Sequence, residues 1–440
     1  MAKSLFGTDG VRGRAGELLT SELARALGAA AVRHCGNPGS RVLVIRDTRE
    51  SGPWLADAFA SGAATAGGDV TLGGVLPTPV APLLIRAGRF DLAAVVSASH
   101  NPFEDNGIKI FGAGGLKLTD EQEAAIERDL SAEGERDTAS DRAVTAADDL
   151  GDDYVSALAE RFRALDLSGR RFALDCAHGA TYETAPAIFR RLGAEVVVIG
   201  DAPDGRNINA GVGSTHPEAL QELLESGDFD AGFAFDGDGD RLIAACADGR
   251  IVDGDALIVL MARSLSERGE LTGGGVAVTV MSNLGLHHAL EEAGIAVAVT
   301  PVGDRHVLSE LLERGWRLGG EQSGHIIDMD FVPSGDGIAS ALLVLEALGD
   351  TALADANPMR RLPQVLVGVP VRDREVAMSD PAVREAIEAQ ELLLGGSGRV
   401  LVRASGTEQL IRVMAEAETD GAARAACTAI ANVIASGNRP

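Results

Sequence analysis

The chain has 440 residues and a formal net charge of −26; so acidic a surface argues against a nucleic-acid partner, while a small phosphorylated substrate stays compatible wherever a few arginines set the local field. Residues 1–7 lack the apolar h-region of a secretory signal, and no apolar run approaches the roughly 18 residues of a membrane span, so a cytosolic chain with no membrane partner is expected. Cys35, Cys176, Cys246 and Cys427 lie far apart without a Cys-x-x-Cys pair, which speaks against a zinc site or a disulfide framework and leaves buried or inert thiols.

At roughly 100–200 residues per domain the length allows two to four domains. The chain opens on a glycine-rich stretch, residues 7–13, in which Arg12 is a candidate phosphoryl-contacting charge and a flexible terminus is the plainer reading. Residues 41–45 then read as a strand, 53–66 as a helix, 69–72 as a strand and 91–96 as a third strand. This last run is continuously apolar and is closed by Ser97-Ala98-Ser99-His100-Asn101-Pro102. It reads as a buried parallel strand delivering a polar loop to the sheet's carboxyl edge, where open α/β sheets place their chemistry. The order returns: strand 172–175, helix 184–192, strand 195–199, a helix around 217–224, strand 229–235. It returns again: strand 276–280, helix 286–293, strand 296–299, helix 305–312, and a strand from 316 to 319. The second and third copies empty into Asp236-Gly237-Asp238-Gly239-Asp240-Arg241 and Gly320-Glu321-Gln322-Ser323-Gly324-His325. Three similar α/β units thus present three different loops.

The acidic, apolar-poor residues 136–153 read as a linker, after a helix that opens at Thr119 with a Thr-x-x-Gln capping box. Further boundaries fall near 252–254 and 357–363, giving expected units at 1–150, 151–252 and 253–362. The tail, 363–440, has another pattern: strand 364–371, helix 381–394, strand 400–403, an antiparallel-looking strand 410–416 and an alanine-rich helix 422–434. It is expected to form a smaller α+β domain with its own polar loop, 403–408.

Carboxylates at 236, 238 and 240, spaced by glycines, can turn toward one centre and suit a hard divalent cation. An EF-hand would need glycine and glutamate where Arg241 and Ala247 stand, so magnesium shared with a phosphoryl oxygen is the better match, against a solvent-facing acidic turn as the bland alternative. Ser405, Gly406 and Thr407 offer hydroxyls and close-approaching N–H groups, and Arg403 and Arg412 forked donors, as a phosphate cradle would need; an ordinary inter-strand turn competes. Lysine occurs only at 3, 109 and 117, which makes Lys109 a candidate for exchanging a proton, a task arginine cannot do. His100 and His325 stand at loop positions, as proton carriers, phosphate donors or structural hydrogen-bonding groups.

The set formed by residues 7–13, 97–102, 236–241, 320–325 and 403–407, in that order across nearly the whole chain, resembles the α-D-phosphohexomutases. Its amino-sugar members are resembled most, through Asn106-Gly107-Ile108-Lys109, Pro203-Asp204-Gly205 with Asn207-Ile208-Asn209, residues 213–218, Gly303-Asp304-Arg305 and Gln322. The resemblance implies four domains around a central cleft, three α/β with mixed sheets and one α+β. It implies a phosphoserine at Ser99 and one Mg2+ held by Asp236, Asp238, Asp240 and a phosphoryl oxygen on Ser99. It implies interconversion of glucosamine 6-phosphate and glucosamine 1-phosphate through a bound glucosamine 1,6-bisphosphate, feeding UDP-N-acetylglucosamine synthesis. Arg403, Ser405, Gly406, Thr407 and Arg412 would hold the phosphate that is not reacting, Glu321 and Ser323 the ring hydroxyls, and Arg12, His100, Lys109, Arg241 and His325 would assist transfer. A homodimer is implied, and Ser99 would first be charged by a kinase, a bisphosphate sugar or the enzyme itself. Ala404 and Gln409 stand where the family commonly has proline, which predicts a looser phosphate loop; Val212 and Gly239 replace a common cysteine and alanine. The alternatives are the same scaffold acting on mannose or glucose phosphates, a non-catalytic sugar-phosphate binder, and a phosphatase, which a water-excluding cleft disfavours.

Overall fold

The computed structural model describes residues 5–7, 9–131, 142–405 and 408–437. They build four sheets in two compact units, Met1–Met281 with Ile295–Pro358, and Ser282–Gly294 with Met359–Pro440.

The larger unit holds three sheets that share one plan. In the first, Arg41–Arg46 lies between Asp69–Val75 and Leu92–Val96, all parallel; every residue of Leu92–Val96 is buried, as a strand covered on both faces requires. The chain then turns back, and Asp105–Phe111 pairs antiparallel with Leu92–Val96. In the second sheet Arg171–Asp175 lies between parallel Glu195–Ile199 and Ala231–Phe235, and Leu242–Cys246 returns antiparallel. In the third, Gly275–Thr279 lies between Ala296–Thr300 and Leu318–Gly320, and Ile326–Asp328 returns. Each chemistry-bearing loop is therefore the connection between the third strand and its antiparallel return, at the carboxyl end of a central strand.

One alternative falls and one expectation is corrected. A flexible terminus does not describe the glycine-rich start from residue 10 onward: Val11–Arg14 pairs antiparallel with Asp105–Phe111, and Gly10, at φ 80°, lies against the Ile108 backbone where a Cβ would collide. The stretch read as a linker is built from 142 onward. Val144–Ala146 extends the first sheet beside Asp69–Val75, and Leu150–Arg161 is a helix burying Tyr154 and Leu158; only residues 136–141 of that stretch lie outside the described residues. Helices at Ser21–Cys35, Gly254–Glu267 and Gly337–Leu348 had no counterpart in the sequence reading. The first packs closely on Gly52–Thr65, because Gly28 and Gly62 leave room for the facing backbones at Phe59 and Arg25. The expected capping box is present, Thr119 N–H donating to Gln122 Oε1 at 2.9 Å and Gln122 N–H to Thr119 Oγ1 at 3.3 Å.

The smaller unit is an antiparallel sheet, Gln364–Pro370, Leu410–Glu416 and Arg399–Ala404, with helices Pro381–Leu394 and Asp420–Gly437. Helix Leu284–Glu292, read from sequence as part of the third repeat, is compact with this unit. Glu416, fully buried, joins it there by accepting from Leu284 N–H at 2.9 Å and from Asn283 Nδ2 at 3.2 Å. No cysteine is disulfide-bonded; Cys176, Cys246 and Cys427 are buried, and burial pushes the Cys35 thiol up to about 11. Among the described residues no helix is long and apolar enough to cross a membrane.

Candidate active site

The serine loop is held from beneath. Arg49, with no exposed side-chain surface, donates to the carbonyls of Ser99 and Asn101 at 2.8 Å, of Asp105 at 3.0 Å and of Pro102, and pairs with Asp47 Oδ2 at 2.8 Å. Asp47 in turn accepts from Ser97 Oγ at 2.6 Å, and Ser97 Oγ accepts from Ser99 N–H at 2.9 Å. Asn209 Nδ2, from the second module, also donates to Ser99 O, at 3.0 Å. Ser99 is held at φ 53°, a backbone region sparsely allowed to non-glycine residues, so the surrounding bonds over-determine it.

That geometry turns the hydroxyl onto the aspartate loop. Ser99 Oγ donates to Asp236 Oδ2 at 2.5 Å and lies 3.2 Å from His100 Nδ1. Asp236, Asp238 and Asp240 are buried, their ligand oxygens within 4.8 Å of one another. Burial and the neighbouring carboxylates Asp240 and Asp238 push Asp236 well above the usual carboxylate range. Burial would do the same to Asp240, but Lys109 and His325 outweigh it and hold it well below. Thr78 Oγ1 and Lys109 Nζ both donate to Asp238 Oδ2, at 2.7 and 2.8 Å. Asp238 Oδ1 is buried and accepts no hydrogen bond, and Asp240 Oδ1 accepts none either, His325 Nδ1 standing 3.6 Å away. Two orphaned anionic oxygens beside the Ser99–Asp236 pair, all oxygen donors, match what a hard divalent cation takes. Gly239, at φ 72°, is wedged against Thr181 and Pro77, so the loop is tight there.

Around this centre stand the predicted bases. Lys109 is buried; burial opposes its charge, but Asp238, Asp9 and Asp240 raise its pKa well above the ordinary value, so it stands as a fixed ammonium. His100 is the reverse: burial, then Arg241 and Arg12, lower it to about 4, leaving a neutral ring beside Ser99. His325 Nε2 accepts from Gly335 N–H at 3.1 Å, a bond that the neutral ring makes with its proton on Nδ1 toward Asp240. Burial disfavours charge on this ring, yet Asp240 and Asp304 raise its pKa. Arg12 pairs with Asp9, and the Arg241 backbone N–H donates to Asp236 Oδ1 at 3.2 Å; the Nε of each arginine is buried without a hydrogen bond, that of Arg241 standing 3.8 Å from Asp240 Oδ1. In the third loop Glu321 Oε1 accepts from Gly303 N–H at 3.1 Å, while Ser323 is exposed.

Arg403, Ser405 and Arg412 lie in the smaller unit. Arg403 and Arg412 are directly opposed across antiparallel strands. Ser405 is buried and its Oγ accepts from Glu408 N–H at 3.2 Å. Gln409, whose place in the loop led to the expectation of a looser turn, donates through Nε2 to Arg372 O at 2.8 Å, a tie proline cannot make. Gly406 and Thr407 lie outside the described residues.

Sequence reading gave no site role to Asp47, Arg49, Thr78, Lys117 or Asn209, all of which reach the site through a bond to one of its loops or bases. Lys117 carried a signal in the rarity of lysine, and Asn209 one in the Asn-Ile-Asn motif.

Against known proteins, residues 3–137, 152–249 and 253–362 match the alpha/beta/alpha domains I, II and III of the phosphoglucomutase/phosphomannomutase family, and 366–433 its C-terminal domain. The chain belongs to this family. Among its relatives, a phosphoglucosamine mutase of Pelotomaculum thermopropionicum is 49% identical over 98% of both chains, and one of Desulforudis audaxviator is 51% identical over 95% of this chain and 94% of its own. A solved phosphoglucomutase/phosphomannomutase family protein of Burkholderia thailandensis superposes with TM-score 0.82 at 28% identity, covering 99% of this chain and 98% of that one. The N-acetylphosphoglucosamine mutase of Aspergillus fumigatus, solved with GlcNAc-6P and magnesium, shares the fold at TM-score 0.70 and 18% identity, over 99% of this chain and 96% of that one. The family implies Mg2+ and a phosphoserine, and the buried aspartate triad is a group that could hold a metal ion.

Proposed function

We propose that this phosphohexomutase interconverts glucosamine 6-phosphate and glucosamine 1-phosphate, as an isomerase of amino-sugar metabolism supplying UDP-N-acetylglucosamine synthesis. The observation that carries the chemistry is the Ser99 hydroxyl at 2.5 Å from Asp236 Oδ2, beside two orphaned carboxylate oxygens. The substrate follows the relatives named for it, about half identical over nearly the whole chain.

Ser99, carrying a phosphoryl group, gives it to the free O1 of glucosamine 6-phosphate; the sugar hydroxyl loses its proton and Ser99 Oγ leaves. The resulting 1,6-bisphosphate turns over, and Ser99 Oγ takes back the 6-phosphoryl, releasing glucosamine 1-phosphate. Asp236, Asp238 and Asp240, with a phosphoryl oxygen on Ser99, would hold Mg2+, which would offset charge on the moving phosphoryl group. Lys109 and Arg241 supply fixed positive charge beside it, with Arg12 in reach of the same loops, while His100 and His325 accept or return protons. Glu321 and Ser323 take ring hydroxyls, and Arg403, Ser405, Gly406, Thr407 and Arg412 the distal phosphate. The modules act as 1–150 for the phosphoserine, 151–252 for the metal, 253–362 for the sugar and 363–440 for the phosphate. The working form is a cytosolic homodimer, charged first by a kinase, by a sugar bisphosphate or by itself.

Initial rates on glucosamine, mannose and glucose 6-phosphates, measured side by side, test the substrate. The amino sugar should lead clearly; a preference for mannose or glucose would overturn the assignment.

A further inference from the structure

Lysine stands only at 3, 109 and 117 in a chain that otherwise uses arginine, and the two among the described residues meet in one circuit beside the site. Lys117 Nζ donates to Asp9 Oδ1 and to Asp304 Oδ2, with 12% of its side chain exposed. Asp9 turns its other oxygen to Lys109 Nζ at 3.0 Å, and Lys109 reaches Asp240 at 3.2 Å. Asp240 faces His325 Nδ1 at 3.6 Å, and His325 Nε2 faces Asp304 at 3.7 Å. Carboxylates and nitrogen bases alternate around the whole circuit.

The three residues 303–305 connect this circuit to the sugar loop on one side and to the serine-bearing module on the other. Gly303, at φ 124° where only glycine is comfortable, donates its N–H to Glu321 Oε1 at 3.1 Å. Asp304 binds Lys117 and faces His325. Arg305 donates to Leu118 O at 3.3 Å, to Asp120 at 2.6 Å and to Glu123. Glu321 and His325 belong to a different sheet from Ser99, so their placement against the serine loop depends on such cross-ties.

We propose that Lys117 and Asp304 are positioning residues of the transfer reaction: the Lys117 ammonium, bridging Asp9 and Asp304, keeps the turn at 303–305, and with it Glu321 and His325, in register with Ser99. The proposal rests on the mutase reading. A compact ammonium with three freely turned donors can bridge two carboxylates in a buried gap, whereas a planar guanidinium needs more room and a fixed fork. Without it Asp9 keeps Lys109 and Arg12 but nothing bridges it to Asp304, the two part-buried carboxylates repel across the gap, and the turn shifts. A misplacement of about 1 Å in a group that positions substrate costs on the order of 100-fold in rate.

The test uses the full chain with Lys117→Met, Asp304→Asn and the double variant, assayed on glucosamine 6-phosphate alongside thermal unfolding. Each single variant should lower kcat by about 10–100-fold while KM moves far less, and the double should lose no more than the worse single, because both act through one contact. Lys117→Arg should restore only part of the rate. Two results would overturn the proposal: single variants within about twofold of the parent, or losses that multiply in the double as independent sites do. A kcat loss that disappears at a temperature where the variant is fully folded would also overturn it, since the role would then be only structural. Should Lys117→Met not fold, Asp304→Asn carries the same kcat and KM test at nearly unchanged volume. A parent inactive on glucosamine 6-phosphate would sink the substrate assignment alone, and the same variants are then compared on mannose 6-phosphate.

Discussion

Arg403 and Arg412 are directly opposed Cα partners on neighbouring antiparallel strands of the smaller unit. Directly opposed like charges destabilise a sheet by roughly 0.2–1 kcal/mol, and Arg412 has Glu408 Oε2 at 3.1 Å as partial relief. Under the proposed function, the anion that offsets this pair is the substrate's distal phosphate. Arg412→Gln should therefore leave unfolding unchanged or raise stability by up to about 1 kcal/mol, while KM rises about 10–100-fold with the loss of a charged hydrogen bond. Urea unfolding and steady-state kinetics on one preparation check both halves.

The Arg49 clamp predicts a different balance. Arg49→Met leaves Asp47 without its buried cationic partner and takes one donor from each of four loop carbonyls, so destabilisation of about 3–5 kcal/mol is expected. Ser99, no longer held at its positive φ, should be phosphorylated to a smaller extent, which intact mass reads directly.

Metal binding has a readout apart from turnover. Because an ion that binds only the folded chain stabilises it, added Mg2+ should raise the unfolding temperature of the parent and not that of Asp238→Asn. Chelation should abolish turnover and Mg2+ restore it.

Asp336 supplies the pH prediction. It caps helix Gly337–Leu348, accepts from Tyr154 OH at 2.8 Å and from Ala339 N–H at 2.9 Å, and burial raises it to about 7. A carboxyl raised on folding binds more protons in the folded than in the unfolded chain. Its contribution is therefore full below the ordinary carboxylate pKa near 3.8 and is lost as pH rises through about 7. The stability of the parent relative to Asp336→Asn should accordingly fall between those limits and then level off, as urea unfolding at a series of pH values would record.

What the sequence made legible was what burial writes in runs of apolar residues. Strands such as Leu92–Val96 and Ala231–Phe235, buried throughout, stand out as uninterrupted apolar stretches, and the polar loops that follow them stand out by contrast. Val11–Arg14 and Val144–Ala146 did not, because glycine and acidic residues hide strands whose pairing is decided by distant partners. Arg49 and Asp47 look like surface residues until the loop that covers them is in place. Lys109 was found and Lys117 passed over, though the same scarcity of lysine marked both.

The central claim is that one hydroxyl, on Ser99, carries the phosphoryl group. Intact mass of the parent and of Ser99→Ala, paired with a mutase assay of both on glucosamine 6-phosphate, tests it most directly. The parent should carry the added mass of one phosphoryl group and turn over, and the alanine variant should show neither. An alanine variant that isomerises the substrate as fast as its parent would contradict the account.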